Sequence, residues 1–197
     1  QEGERMGDDT GKICYWAYAA SNMMDYLLTR PEADPDAIGI SGHSRLGKTA
    51  LLTAAIDQRF AFVCSNNSGC SGVALSRGVC DAGEKVGRIC NVFPYWFAPN
   101  YQQYANNEGA LPFDQHCLVA MVAPRAVFVG AAIEDVWADT DNQFLSCVAA
   151  SPVWGMYGSK GFIVPDKMPE LGDTFTPSPR FDGRTLGFAR YGGVNDI

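Results

Sequence analysis

The chain carries the octapeptide GHSRLGKT at residues 42–49. An apolar run typical of a buried strand precedes it at residues 37–41, and a helix-like run follows at residues 50–56. Two unrelated chemistries use such a turn between strand and helix. As G-x-x-x-x-G-K-T, the octapeptide fits a phosphate-binding P-loop with Lys48 on the phosphates and Thr49 on Mg²⁺. As G-x-S-x-x-G, it fits a nucleophile elbow with Ser44 exposed at the tip of the turn.

The side chains inside the octapeptide favour the elbow. A P-loop needs glycines where backbone N–H groups close around phosphates, but residues 43–46 all carry bulky or polar side chains. The magnesium-binding Asp of a P-loop protein would have to be Asp135, which is poorly placed for that role. An elbow needs a small residue two positions before the serine, and Gly42 supplies it. Leu46, two positions after, is not small, although Gly47 follows. A serine that only caps the helix is the alternative.

Helix-like and strand-like segments alternate along the chain of 197 residues. The apolar spacing predicts helices at residues 14–28, 45–57, 116–123 and 143–150, and strands at residues 37–41, 60–65, 126–133 and 186–191. This alternation predicts an α/β fold, a mostly parallel sheet with helices on both faces. Ser44, Asn67, Asp135 and the residues after Tyr191 all follow predicted strand ends, where such sheets collect functional residues. Residues 70–113 form a long, aromatic, irregular segment of the kind that is usually functional.

Composition excludes several classes of partner. The net charge of −7 and the pI of about 4.7 argue against a nucleic-acid partner. The apolar stretches are too short to cross a bilayer, and no basic cluster indicates a membrane surface. No signal peptide is visible at the start of the chain. The seven cysteines include no C-x-x-C pair, which disfavours a zinc or thioredoxin site, and a disulfide from Cys70 to Cys80 or Cys90 is an alternative to buried thiols.

Several motifs, taken together and in order, resemble carbohydrate esterase family 15, the glucuronoyl esterases. They are GHSRLGKTAL at residues 42–51, NSGCSG at 67–72, FPYWF at 93–97, LPFDQH at 111–116, VAPR at 122–125 and EDVWAD at 134–139. The resemblance covers roughly residues 12–160. It implies an α/β-hydrolase that cleaves the ester between lignin alcohols and the 4-O-methyl-glucuronic acid of glucuronoxylan. It further implies a secreted or periplasmic serine esterase with no metal and no cofactor.

The resemblance also implies roles for individual residues. Ser44 is expected to be the nucleophile that forms an acyl-enzyme, and Arg45 to stabilise the oxyanion. Lys48 and Glu84 are expected to bind the sugar, and Trp137 to line the uronate pocket. The structural alternative is a solvated surface charge for Arg45 and Lys48, and a merely packed tryptophan for Trp137.

The acid of the catalytic triad is expected to be Asp135. Many members of the family carry a glutamate after the preceding strand, but Asn67 stands at that position here. Other members take an aspartate from the exit of the next strand, which Asp135 matches. Glu134 is the second candidate.

The general base is where the sequence departs from the family. The family's histidine lies in a G-x-H-D-like segment after the last strand, and Asn195 stands where that histidine is expected. Asparagine cannot accept a proton near neutral pH. The two histidines of the chain do not replace it: His43 should point away from the nucleophile, and His116 lies in a segment that is expected to be structural.

The extent of the resemblance predicts that residues 1–197 form a single partial domain, the C-terminal half of the full fold, with the N-terminal strands missing. Two functions other than esterase activity stay open. One is a catalytically impaired relative that binds glucuronoxylan without turnover, and the other is a P-loop NTPase.

Overall fold

The structure, a computed structural model, describes residues 4–78, 82–159, 161–162, 174–175 and 186–191. Its helices are α1 (Lys12–Leu27), α2 (Arg45–Ile56), α3 (Val86–Val92), α4 (Gln115–Ala120), α5 (Thr140–Ala150) and α6 (Pro152–Met156). Its strands are β1 (Gly39–His43), β2 (Phe62–Asn66), β3 (Ala126–Ala132), β4 (Thr174–Phe175) and β5 (Leu186–Tyr191). Short 3-10 helices occupy Pro99–Tyr104, Glu108–Ala110 and Val136–Ala138.

The strands form one sheet in the order β1-β2-β3-β5-β4. Strands β1, β2, β3 and β5 are parallel to their neighbours, and β4 pairs antiparallel with β5. His43 pairs with Asn66, and Asn66 pairs with Gly130. The carboxyl ends of β1, β2 and β3 therefore meet at one edge of the sheet, and the residues that follow them converge there.

The α/β-hydrolase-type sheet predicted from the sequence is confirmed, with shifts at element ends. Strand β1 begins two residues later than predicted because Ala37 still belongs to a turn, where its N–H donates to the Asp34 carbonyl at 3.0 Å. The irregular stretch 70–113 contains the helix α3. Strand β4 falls in a proline-containing stretch for which the sequence predicts a loop.

The larger hydrophobic core lies on one face of the sheet, against the helices. Its largest fully buried side chains are Met24, Leu51, Val63, Val73, Val119, Val122, Trp154 and Phe188. A smaller core lies beneath the irregular stretch, where α3 packs against the aromatic residues that follow it. Because the aromatic segment is anchored there, its side chains are held beside the carboxyl edge of the sheet.

The cysteines of this smaller core are thiols. Cys70 and Cys90 are both buried and free, so a disulfide between them is not formed and that alternative is wrong. Cys80, the other partner considered, lies outside the described residues. Burial raises the pKa of the Cys90 thiol to about 11, which makes it a poor nucleophile at neutral pH.

Part of the sheet is open. Strand β1 pairs with β2 on one side and forms the edge of the described sheet. Phe62 of β2 is 38% exposed, and its neighbours on the same face, Cys64 and Phe128, are only half-buried. Helix α1 exposes Tyr15, Tyr18, Met23 and Tyr26, each between 62% and 67%. Exposed apolar side chains in this number indicate a surface that is normally covered. No helix among the described residues is long and apolar enough to span a membrane.

Candidate active site

Ser44 occupies the turn between β1 and α2 in a strained conformation. Its φ of 53° and ψ of −124° lie outside the regions that residues other than glycine normally adopt. The turn is held from both sides, since the Ser44 N–H donates to the Asn66 carbonyl at 2.9 Å and the Ser44 carbonyl accepts from the Lys48 N–H at 3.1 Å. This strained strand-to-helix turn is the geometry of a nucleophile elbow, and the half-buried Ser44 lines a cavity at its tip.

Two glycines make the turn sterically possible. A Cβ on Gly42 would collide with the carbonyl of Leu46, and a Cβ on Gly47 would lie 2.9 Å from the Asn66 carbonyl oxygen. Helix α2 therefore approaches the ends of β1 and β2 more closely than any side chain would allow. The leucine that does not fit the elbow pattern is accommodated because Leu46 points outward, 52% exposed.

We expect Gly42→Ala to destabilise the protein by about 2–3 kcal/mol, because the new methyl group meets backbone atoms that cannot move aside without opening the turn. The matched control is Gly155→Ala in α6, where an added Cβ meets nothing within 4 Å. Urea denaturation of both variants measures the difference. Equal stability of the two would show that the turn is not as tightly packed as described.

The cavity at the carboxyl edge of the sheet has a volume of about 410 Å³. It brings together the described residues for which the sequence predicts a role, and several for which it does not. Its lining consists of Ser44, Arg45, Lys48, Asn67, Ser68, Glu84, Phe93, Trp96, Asp135, Trp137 and Ala138. This volume lies within the range of small-molecule binding sites.

Lys48 is buried, with 5% of its surface exposed, and is not the solvent-facing lysine of the structural alternative. Its Nζ donates to the carbonyl of Ser68 and, at 2.7 Å, to that of Cys70. Burial lowers the pKa of Lys48, while the nearby carboxyl groups of Glu84 and Asp135 oppose that shift. Two of the three ammonium N–H groups are thus occupied, which leaves one to donate into the cavity.

These contacts also argue against a P-loop. The Lys48 ammonium is committed to carbonyls of the segment after β2, and the Thr49 hydroxyl donates to the Arg45 carbonyl at 3.0 Å. Neither side chain is presented to a phosphate or a magnesium ion held by the turn. Among the described residues no cluster of His, Cys, Asp or Glu could hold a metal ion.

Asp135 lies just past β3, with 8% of its surface exposed. Its carboxylate accepts from the Asn67 side-chain amide at 2.6 Å and from the Ala138 N–H at 3.2 Å. Asn67 is itself fixed, since its side-chain oxygen accepts from the Ala132 N–H at 3.1 Å and its own N–H donates to the Gly130 carbonyl at 2.7 Å. The residue at the family's alternative acid position therefore orients the aspartate. Glu134 is exposed and does not line the cavity.

Glu84 and Trp137 lie side by side at the cavity wall. The Glu84 N–H donates to the Trp137 carbonyl at 3.0 Å. Burial raises the pKa of the Glu84 carboxyl, while the Lys48 charge and a hydrogen bond from the Trp137 side chain oppose that rise. Trp137 is 37% exposed and lines the cavity. Glu84 also lines the cavity, and its sugar-binding role stays a prediction.

Arg45 is the first residue of α2 and lines the cavity beside Ser44. The first N–H groups of a helix have no acceptor within the helix and carry partial positive charge. The backbone and the exposed guanidinium of Arg45 thus both offer positive charge next to the serine hydroxyl. A developing negative charge at this place would be stabilised by both.

Two aromatic residues of the cavity were not predicted from the sequence. Phe93 and Trp96 stack in parallel, with ring centroids 3.8 Å apart and planes inclined by 4°. Both line the cavity. The aromatic run in a long irregular segment was the available signal, but nothing in it shows which rings face the site.

The two histidines do not line the cavity. The ring nitrogen Nδ1 of His43 lies 2.8 Å from the side-chain nitrogen of Asn66, away from the tip of the turn. His116 lies in α4, and its Nδ1 is buried without a hydrogen-bond partner. Asn195, at the expected position of the base, lies outside the described residues.

A parallel sheet whose strand leads through a strained serine into a helix, with a carboxylate past the next strand but one, defines an α/β-hydrolase. Solved structures agree. An esterase of carbohydrate esterase family 15 from a marine bacterial metagenome matches with a TM-score of 0.86 and 41% identity over 95% of this chain and 45% of its own. A glucuronoyl esterase from Solibacter usitatus matches with a TM-score of 0.86 and 37% identity over 100% of this chain and 47% of its own.

Sequence comparison identifies the family. The family model "Glucuronyl esterase, fungi" matches residues 5–158. A carbohydrate esterase from an unknown prokaryotic organism is 47% identical over 151 residues, which are 77% of this chain and 34% of that protein. A 4-O-methyl-glucuronoyl methylesterase from Schizophyllum commune is 36% identical over 155 residues, 73% of this chain and 38% of that protein. The chain belongs to the glucuronoyl esterase family. It spans between a third and a half of the length of these relatives.

Proposed function

We propose that this chain carries the nucleophile of a serine esterase that cleaves esters of glucuronic acid. The observation that carries the proposal is the strained Ser44 at the tip of an elbow, in a cavity that also contains Arg45, Lys48 and Asp135. The relatives named as glucuronoyl esterases support the acyl group, and the 4-O-methyl-glucuronoyl methylesterase of Schizophyllum commune supports its 4-O-methyl form.

The reaction follows from the geometry. The Ser44 hydroxyl attacks the ester carbonyl carbon, and the carbonyl oxygen becomes an oxyanion beside the Arg45 N–H and guanidinium. The tetrahedral intermediate collapses, the alcohol leaves and a glucuronoyl ester forms on Ser44. Water then attacks this ester, which releases glucuronate and restores the serine. Lys48 and Glu84, one cationic and one anionic, hold the sugar hydroxyls, and Trp137 packs against the ring.

The serine proton needs an acceptor in the first step and the leaving alcohol needs a donor. Asp135 is held in place to orient an imidazole at the carboxyl edge of the sheet. The family's imidazole would come from the position of Asn195. We therefore propose that the nucleophile, oxyanion and acid sites are assembled in this chain and that the asparagine at the expected position of the base limits its hydrolytic rate.

We also propose that further strands complete this sheet, pairing with β1 and covering the exposed side chains of α1 and the open face of β2. The edge position of β1 and the partial coverage of the solved structures support this. The proposed polymer substrate is the glucuronoxylan–lignin ester of plant cell walls. Because such a polymer does not enter cells, the protein would act outside the cell or in the periplasm.

The test is hydrolysis of benzyl D-glucuronate, with 4-nitrophenyl acetate as a generic ester for comparison. A preference for the glucuronate ester in kcat/KM supports the proposal. Binding of glucuronoxylan with no turnover of either ester would show an impaired, polymer-binding relative. Binding of ATP that Lys48→Ala abolishes would overturn the proposal in favour of a P-loop protein.

A further inference from the structure

Arg88 makes a close contact with a wall of the cavity from outside. Its guanidinium carbon lies 4.0 Å from the centroid of the Trp137 ring. In the other cation–π contacts among the described residues, the charged group lies 5.3 Å or more from the ring centroid. Arg88 does not line the cavity, whereas Trp137 does. A guanidinium at this distance over an indole is a cation–π contact, for which tryptophan is the best partner.

The helix that carries Arg88 is firmly anchored. Val86 and Ile89, on either side of it in α3, are fully buried in the smaller core. The guanidinium therefore extends from a fixed backbone. A side chain held in this way restricts a neighbour more effectively than one on a mobile loop.

Trp137 itself has little support of its own. It lies on a 3-10 helix of three residues, next to the 61% exposed Val136, and is itself 37% exposed. The Glu84 N–H donates to the Trp137 carbonyl at 3.0 Å. That bond holds the backbone of Trp137 but does not fix the plane of its indole. Arg88, in the first turn of α3, covers a ring face.

We propose that Arg88 is a positioning residue that holds the Trp137 indole as a fixed wall of the sugar site. The immobilisation of the Trp137 ring by Arg88 does not depend on the proposed function, whereas its effect on sugar binding rests on that function. Because a pre-ordered wall reduces the entropy lost on binding, the contact acts on substrate affinity more than on the chemical step.

The first experiment measures the indole directly and does not require activity. Acrylamide quenching of tryptophan fluorescence should increase by about 1.5- to 2-fold in Arg88→Ala, because the ring loses its cover. The same substitution in a Trp137→Phe background should change nothing, although Trp16, Trp96 and Trp154 still report. Arg30→Ala is the matched control, since Arg30 also stacks on a ring, that of Tyr26, but touches no residue of the cavity. An unchanged quenching in Arg88→Ala, or an equal change in both backgrounds, overturns the proposal.

The second experiment uses turnover of benzyl D-glucuronate. Arg88→Ala should raise KM by about three- to fivefold with kcat changed less than about twofold, and Arg88→Lys should recover part of the affinity because it keeps a cation over the ring. A fall in kcat at constant KM contradicts a positioning role. If the protein does not hydrolyse the ester at all, the esterase proposal fails while the fluorescence result still decides the role of Arg88.

Discussion

Replacing Asn195 with histidine should raise kcat/KM for benzyl D-glucuronate by about 10²–10⁴. Ser44, Arg45 and Asp135, the proposed nucleophile, oxyanion group and acid, line one cavity, whereas asparagine cannot take the proton of the Ser44 hydroxyl. An imidazole at position 195 would supply that acceptor. The Asp135 carboxylate, fixed by Asn67 at 2.6 Å, would orient it. The measurement is steady-state hydrolysis of the ester between pH 5 and 9.

Asn195→Gln is the control, because it keeps a neutral amide and should leave the rate unchanged. Adding Asp135→Asn to Asn195→His should remove most of the gain, since the new imidazole loses the group that selects its tautomer. The gain should also fall below pH ~6.5, where an ordinary imidazole is protonated. No gain in Asn195→His, with substantial activity in the unmodified protein, would mean that the base comes from elsewhere in the protein.

Ser44→Ala should lower the hydrolysis of benzyl D-glucuronate by at least about a thousandfold in the Asn195→His background, because no acyl-enzyme can form. In the unmodified protein, Ser44→Ala should lower the rate to the residual hydrolysis that the oxyanion site supports without a nucleophile. The two substitutions should therefore be strongly non-additive: the gain from histidine exists only while Ser44 is present. Initial rates for the four combinations measure this coupling.

Ser41→Ala is the matched control. Ser41 is an exposed serine of β1, the strand that leads to Ser44, and it does not line the cavity. It should change neither the rate nor the fold. Circular dichroism should show that Ser44→Ala is folded, because alanine removes one oxygen and adds no atom to the turn. In the Asn195→His background, retention of more than a tenth of the rate by Ser44→Ala would exclude Ser44 as the nucleophile.

The sequence predicts the elbow because its constraints are local. Gly42 and Gly47 lie on either side of Ser44 within six residues. Their spacing indicates two places where backbone segments approach each other closely. The convergence of Ser44, Asn67 and Asp135 is also predictable, since parallel strands place their carboxyl ends at one edge. The convergence follows from strand direction, whereas the choice of an elbow over a helix cap or a P-loop also rests on the resemblance to the glucuronoyl esterases.

The rest of the site depends on contacts between distant parts of the chain. Lys48 is buried because Ser68 and Cys70 present carbonyls to it, and that follows from the path of the chain after β2. Whether Phe93 faces the cavity, and whether Arg88 reaches Trp137, depends on how α3 packs into the smaller core. Side chains in an irregular segment have no period from which their direction could be inferred.

The structural role of Asn67 could not be predicted from the sequence, for a different reason. The sequence shows only that asparagine stands where many members of the family carry a glutamate. In the structure it links β2 to β3 and donates to Asp135 at 2.6 Å. An amide that can both donate and accept is suited to this link, whereas a carboxylate at the same place would repel Asp135.

The most direct test is to identify which residue of the protein a serine-directed reagent modifies covalently. The Asn195→His protein is treated with a fluorophosphonate, which reacts with activated serines, and the adduct is located by peptide mass spectrometry. The account predicts one phosphonyl group on the peptide containing Ser44 and none in the Ser44→Ala, Asn195→His protein. An adduct on another serine, or ester hydrolysis that continues with Ser44 unmodified, would contradict it.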